Sequence, residues 1–142
     1  NASTQAIMES LFTKDAIKKV HFLGSKPYDE IKDHINKATV CIFPSYAEAM
    51  PVSWLEAMAL EKAIVGSDIG WSNEIIGNGN NGFKVNPKDY STFANRIIEL
   101  LDNDELKNKI EKEARITILK TFSTQVTALK TVEFYKKIIS NY

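Results

Sequence analysis

An α/β fold, a parallel sheet flanked by helices, is predicted by three features of this 142-residue chain. Short apolar runs closed by Gly or Pro alternate with amphipathic stretches of helical length. Every segment after Asp89 follows a helical period. The run Val40-Cys41-Ile42-Phe43 passes through a Pro-bounded loop into a further helix. Strands separated by helices of this length are joined by crossovers, and crossovers make neighbouring strands parallel.

Taken in order, Ala6, Ile7, Leu11 and Phe12 recur at helical spacing, which predicts an amphipathic helix over 3–14 that leads into a strand at 20–23. Pro27 opens a second helix, 28–38, with Ile31 and Ile35 on one face. A buried strand at 40–44 is followed by a helix at 53–61, a strand at 63–66, a short helix at 73–76 and a brief strand at 83–86. Three helices close the chain: Phe93, Ile97 and Leu101 mark the face of the first, Leu106, Ile110 and Ala114 that of the second, and Val126, Leu129, Val132 and Ile139 that of the third. Asp104 reads as the N-cap of the second and Ser123 as that of the third. The chain reads as one domain, 1–142, with a sheet part over 3–88, a helical part over 89–142 and no internal linker.

Composition narrows the function classes. A hydrophobic share of 44% with 25% charged residues excludes a disordered chain and fits one packed domain. Eighteen basic against eighteen acidic residues leave no net charge, so nothing favours nucleic acid or an anionic membrane as partner. Lys14, Lys18, Lys19, Lys136 and Lys137 are interspersed with acids and read as a solvated face. The single Cys41 rules out an internal disulfide and falls in the strand at 40–44, as a buried thiol in a reducing compartment. Without a signal peptide or a membrane-spanning run the expected location is the cytoplasm, free or peripheral at the inner membrane face. Asn1-Ala2-Ser3 matches a glycosylation acceptor that carries little weight without a secretory signal. His21 and His34 are isolated, no Ser/His/Asp, paired-Cys or H-E-x-x-H spacing occurs, and neither a metal nor a cofactor is expected.

The chemistry concentrates between residues 43 and 59, where an apolar strand ends and Glu48 and Glu56 follow eight positions apart. In open α/β sheets ligands collect beyond the carboxyl ends of strands, and the first amides of the next helix point at any anion there. Glu48 falls on the loop and Glu56 in the first turn of the helix. Amides can hold phosphates while carboxylates accept hydrogen bonds from sugar hydroxyls, so a sugar nucleotide suits the arrangement. Ser53-x-x-Glu56 is also a capping box, with Glu56 reaching back to the Ser53 amide. Trp54 and Trp71 could each stack on a sugar or base, although Trp54 lies on a helix face and reads better as core.

These residues resemble the Glu-x7-Glu signature of the retaining nucleotide-sugar glycosyltransferases of family 4, in their C-terminal, nucleotide-binding domain. Val20-His21-Phe22-Leu23-Gly24 resembles the family's V-x-F-x-G strand, and Ala63-Ile64-Val65-Gly66-Ser67-Asp68-Ile69-Gly70 its next strand and Gly turn. Asn73-Glu74-Ile75-Ile76, the Gly/Asn run 77–82 and Phe83-Lys84-Val85-Asn86-Pro87-Lys88-Asp89 continue the pattern in order. The likeness covers roughly residues 16–101. Glu61 departs from it where Gly is usual, Ala63 where Pro is usual and Trp71 where a second Gly is usual. A positive φ at Glu61 would strain that residue and could rearrange the helix end.

The resemblance implies a Rossmann-like partial domain of the two-domain GT-B architecture, truncated at its N-terminal side, and a hexosyltransferase-type enzyme of polysaccharide biosynthesis. It implies that Glu48, the residue closest to catalysis, accepts a hydrogen bond from a donor-sugar hydroxyl, and that Glu56 holds the ribose hydroxyls. The amides of Met50, Val52 and Ser53 would face the phosphates, and Gly24 and Ser25 would contact the nucleobase. The family's first two strand-helix units, with an Arg/Lys pair facing the diphosphate, have no counterpart here, so the fragment alone should be inactive and its acceptor is expected on another domain. The strand at 40–44 is then expected to pair at its bare edge, either with the strand at 20–23 or with a second copy in a dimer. The alternative is a non-catalytic Rossmann-like module that binds a nucleotide or a protein; the absence of G-x-G-x-x-G and G-x-x-x-x-G-K-[ST] argues against dinucleotide or P-loop binding.

Overall fold

The structure, a computed structural model, describes residues 3–141, so Asn1 and Ala2 of the glycosylation-like triplet lie outside the described residues. The chain divides into two compact units, Asn1–Ile31 and Lys32–Tyr142. In the first, α1 (Thr4–Leu11) begins at Ser3, whose hydroxyl accepts the Ala6 amide, and ends at the extended Phe12. A second short helix, α2 (Lys14–Ile17), begins at Thr13 in the same way. The single helix expected over 3–14 is therefore two pieces. Two hydroxyl caps ten residues apart explain the break, since each side chain competes for helix amides and starts its own turn.

The strand expected at 20–23 is absent: Val20–Leu23 has no regular structure and joins no sheet among the described residues. Pairing of this segment with the strand at 40–44 within the chain is thereby corrected. A lone extended segment gains nothing from its β-prone side chains without a ladder to bond, and Phe22 and Leu23 are both exposed.

The helix α3 (Tyr28–Lys37) starts directly after Pro27, as expected. It leads into a sheet of three parallel strands, β1 (Val40–Phe43), β2 (Ala63–Ser67) and β3 (Phe83–Val85), in the order β1-β2-β3. The register pairs Phe43 with Gly66 and Ser67 with Val85, so all three strands end on one edge. Every residue of β2 is buried, as a central parallel strand requires.

Alternation along β2 divides the core. Ile64 joins Cys41 with Trp54 and Met58 of α4 (Val52–Ala59) and Ile75 of α5 (Ser72–Ile75). Ala63 and Val65 join Phe83 and Val85 with Phe93 and Leu100 of α6 (Tyr90–Asp102) and Ile110 of α7 (Asp104–Thr117). Burial pushes the Cys41 thiol above its usual range, with the Lys62 charge opposing the shift. Gly66 makes room for the indole of Trp54: a Cβ there would come within 3.0 Å of the ring. The indole Nε1 is buried with no hydrogen-bond partner among the described residues, a cost on the order of 1–3 kcal/mol that the packing must offset.

One buried amide organises the loop before β3. Asn81 donates to the Ile75 carbonyl and the Thr117 hydroxyl and accepts the Gly77 amide, tying the 77–82 loop to the end of α7. Asn103, not Asp104, caps α7; its side chain accepts the Leu106 amide while Asp104, one residue inside, bonds Lys107. After Thr117 the helix widens into a π-turn, Ile118–Phe122, which no local signal announced. Ser123 then caps α8 (Thr124–Ile139) as expected, and no helix among the described residues is long and apolar enough to cross a membrane.

Candidate functional site

The loop Pro44–Pro51 joins β1 to α4 at the carboxyl edge of the sheet. Its fixed points are few and specific. The Ser45 hydroxyl donates to Glu48 Oε1 at 2.6 Å, which sets the carboxylate's orientation and leaves Oε2 available. The Tyr46 and Tyr90 hydroxyls meet at 2.9 Å, stitching the loop to the first residue of α6. That bond holds the Tyr46 hydroxyl above its ordinary pKa. Gly70, with φ +49, lies so close that a Cβ on it would stand 2.8 Å from the Glu48 carbonyl oxygen. Residues following all three strands thus converge on the Glu48 loop.

The start of α4 differs from its expected form. Pro51 is the N-cap, with no side-chain cap bond, and the helix begins at Val52. Ser53 is therefore inside the helix and the capping box is not formed, because the φ of Pro51 starts the turn earlier than a hydroxyl at 53 would. Glu56 consequently lies in the second turn of α4, not the first. Of the three amides expected to face phosphate, Val52 donates to the Met50 carbonyl at 2.9 Å. Those of Met50 and Ser53 have no hydrogen-bond partner among the described residues. Met50, Val52 and Ser53 are all exposed, and Glu48 and Glu56 are half-buried.

The opposite end of α4 resolves the question raised by Glu61. Glu61 has φ +56, the left-handed value a glycine would take without strain. The helix end is nonetheless a regular Schellman motif, with Lys62 N–H donating to the Ala57 carbonyl at 3.0 Å and Glu61 N–H to that of Met58 at 3.1 Å. The Arg115 guanidinium takes the Ala59 carbonyl.

Gly24 and Ser25 lie in the first unit, where both are exposed and Gly24 turns the chain with φ +66. The other site residues share the second unit. Sequence reasoning missed Ser45 and the tyrosine pair. Ser45 stands three residues before Glu48, a local signal that could have been read; Tyr46 and Tyr90 are 44 positions apart and give none. No group of three or more His, Cys, Asp or Glu residues that could hold a metal occurs among the described residues.

The family model for glycosyl transferases group 1 matches residues 6–117. The chain is 31% identical over 122 residues to the N,N'-diacetylbacillosaminyl-diphospho-undecaprenol alpha-1,3-N-acetylgalactosaminyltransferase of Campylobacter jejuni, covering 86% of this chain and 32% of that protein. Its fold is similar to that of Anabaena HepE, solved in complex with UDP, with a TM-score of 0.85 at 20% identity over 94% of this chain and 36% of that one. It is also similar to the C-terminal domain of LpcC, a group 1 family glycosyl transferase of Francisella tularensis, with a TM-score of 0.71 at 21% identity over 87% of this chain and 67% of that one. The chain spans 28–37% of the length of the first curated relatives it matches. Because the match runs from α1 to the end of α7 and the fold agrees with that of such a domain, this chain belongs to the group 1 glycosyl transferases, with the GT-B type of architecture.

Proposed function

We propose that this chain is the donor-binding part of a retaining glycosyltransferase that moves a sugar from a nucleoside diphosphate to an acceptor held elsewhere in the whole protein. The observation that carries the reading is the Glu48 loop: a carboxylate oriented by Ser45 beside a helix start whose Met50 and Ser53 amides are unengaged. Glu48 Oε2 accepts from a sugar hydroxyl, and Glu56 accepts from two neighbouring ribose hydroxyls. The amides of Met50 and Ser53, and of Val52 once its bent bond to Met50 opens, receive the diphosphate, with the α4 dipole adding roughly 0.3–1 kcal/mol. Rate enhancement comes from positioning the sugar and stabilising the departing diphosphate, without a metal or cofactor.

Relatives support the wider frame: a glycogen synthase of Mycobacterium tuberculosis and a capsular polysaccharide glycosyltransferase of Staphylococcus aureus are among them, and HepE has also been solved with UDP-glucose. In this reading the protein works on cytoplasmic sugar nucleotides in polysaccharide assembly. The isolated chain binds nucleotide weakly and does not turn over, and at high concentration two copies pair through the open edge of β1, which sedimentation would detect.

The deciding experiment titrates UDP, GDP and ADP into the complete gene product by calorimetry and repeats the best of them with Glu56→Ala. Loss of carboxylate hydrogen bonds to the ribose should weaken binding about 10- to 100-fold. Binding of none of the three, or binding indifferent to Glu56→Ala, would return the chain to the class of non-catalytic modules.

A further inference from the structure

Trp71 stands in the turn between β2 and α5, where the resemblance noted above leads one to expect glycine, and the residue is 53% exposed. The turn beneath it is rigid. Ile69 N–H bonds the Ser67 carbonyl at 3.0 Å, Ser72 N–H bonds Ile69 at 3.0 Å, and the buried Ser72 hydroxyl bonds Asp68 at 3.0 Å. Trp71 is the N-cap residue of α5, so its backbone is set by the start of that helix. The preceding residue, Gly70, is the one pressed against the Glu48 carbonyl. A large indole is thus held open to solvent beside the loop whose carboxylate is oriented by Ser45. Tyr46, also exposed, lies on the same loop as Glu48.

We propose that Trp71 is a specificity-determining residue that stacks on the sugar ring of the donor. The proposal rests on the donor-site reading above and deepens it. A pyranose has two kinds of surface: hydroxyls, which need acceptors such as the Glu48 carboxylate, and a face of C–H groups, which is apolar and edged with positive charge. The face of an indole is apolar and negative, so it complements the second as a carboxylate complements the first. A glycine at this position would supply no such surface. Directional bonds from Glu48 and a flat surface from Trp71 together fix both the position and the tilt of the ring.

The test compares a nucleoside diphosphate sugar with its free nucleoside diphosphate, both titrated into the complete gene product as wild type, Trp71→Gly and Trp71→Phe. Trp71→Gly should weaken the nucleotide sugar about fivefold while leaving the diphosphate within about twofold, and Trp71→Phe should restore part of the loss. Fluorescence of Trp54, which is fully buried, reports whether each variant is folded. Equal weakening of both ligands, or no weakening of either, overturns the stacking role while leaving the donor site standing. Failure of the wild type to bind either ligand overturns the donor-site reading and this inference with it.

Discussion

The two ends of α4 handle their unpaired backbone groups in opposite ways. At the C-terminal end the Glu56, Ala57, Met58 and Ala59 carbonyls are all taken, three by backbone amides and the last by Arg115, and Glu61 tolerates a left-handed conformation to complete the set. At the N-terminal end, eight residues away, no side chain caps the helix and the Met50 and Ser53 amides are left open. Strain of about 1–2 kcal/mol is accepted where it closes the structure, whereas donors at the other end stay unpaired among the described residues. The difference teaches that an irregularity can close a helix end, as at Glu61, or leave backbone groups available to a ligand, as at Pro51.

Four substitutions break or sharpen that contrast. The largest effect belongs to Gly70→Ala, which places a methyl against the Glu48 carbonyl at a positive φ. It should cost about 2–3 kcal/mol in urea unfolding and displace the loop, so that nucleotide-sugar binding is lost as well. Pro51→Asp would give the open end the cap it lacks. The new carboxylate satisfies helix amides and repels phosphate, so diphosphate binding should fall about tenfold, while its burial in place of the Pro51 ring should lower unfolding free energy by about 1–2 kcal/mol. A fall in stability with no fall in binding would show that the amides are not the phosphate site. At the closed end, Glu61→Gly should raise stability by about 0.5–1 kcal/mol in thermal unfolding and leave binding untouched.

The smallest effect is spectroscopic. The Tyr90 hydroxyl raises the pKa of Tyr46, so the proton-dependent part of this link is intact below the ordinary tyrosine pKa of about 10 and fades as pH rises through the raised value. In Tyr90→Phe the Tyr46 ring should titrate at lower pH than in the parent, as followed by NMR. An unchanged titration would mean that the loop is not latched to α6 in solution.

Strands β1, β2 and β3 were legible because each is a short apolar run closed by Gly or Pro, a signal that depends on its own residues. Val20–Leu23 carries a similar run, and it failed because a strand also needs a neighbour, which local pattern cannot supply. Caps erred by one or two residues wherever two candidates compete: Pro51 displaces Ser53 and Asn103 displaces Asp104. The carboxylates of the proposed site are singled out by their spacing and the motif around them. What orders them was partly hidden, since the Gly70 contact and the tyrosine pair join segments far apart in the chain and exist only once the sheet has aligned the strand ends.

The bond pattern of Asn81 also bears on chemical ageing. Asn81 precedes Gly82, the dipeptide most prone to spontaneous deamidation, yet its amide group is fixed on three partners and buried. Conversion to aspartate would exchange a donor for an anionic oxygen facing the Ile75 carbonyl, so the native state guards this position and loses it only after opening. Isoaspartate at residue 81, measured in stored samples by mass spectrometry, therefore serves as a clock for how often the end of α7 lets go of the loop.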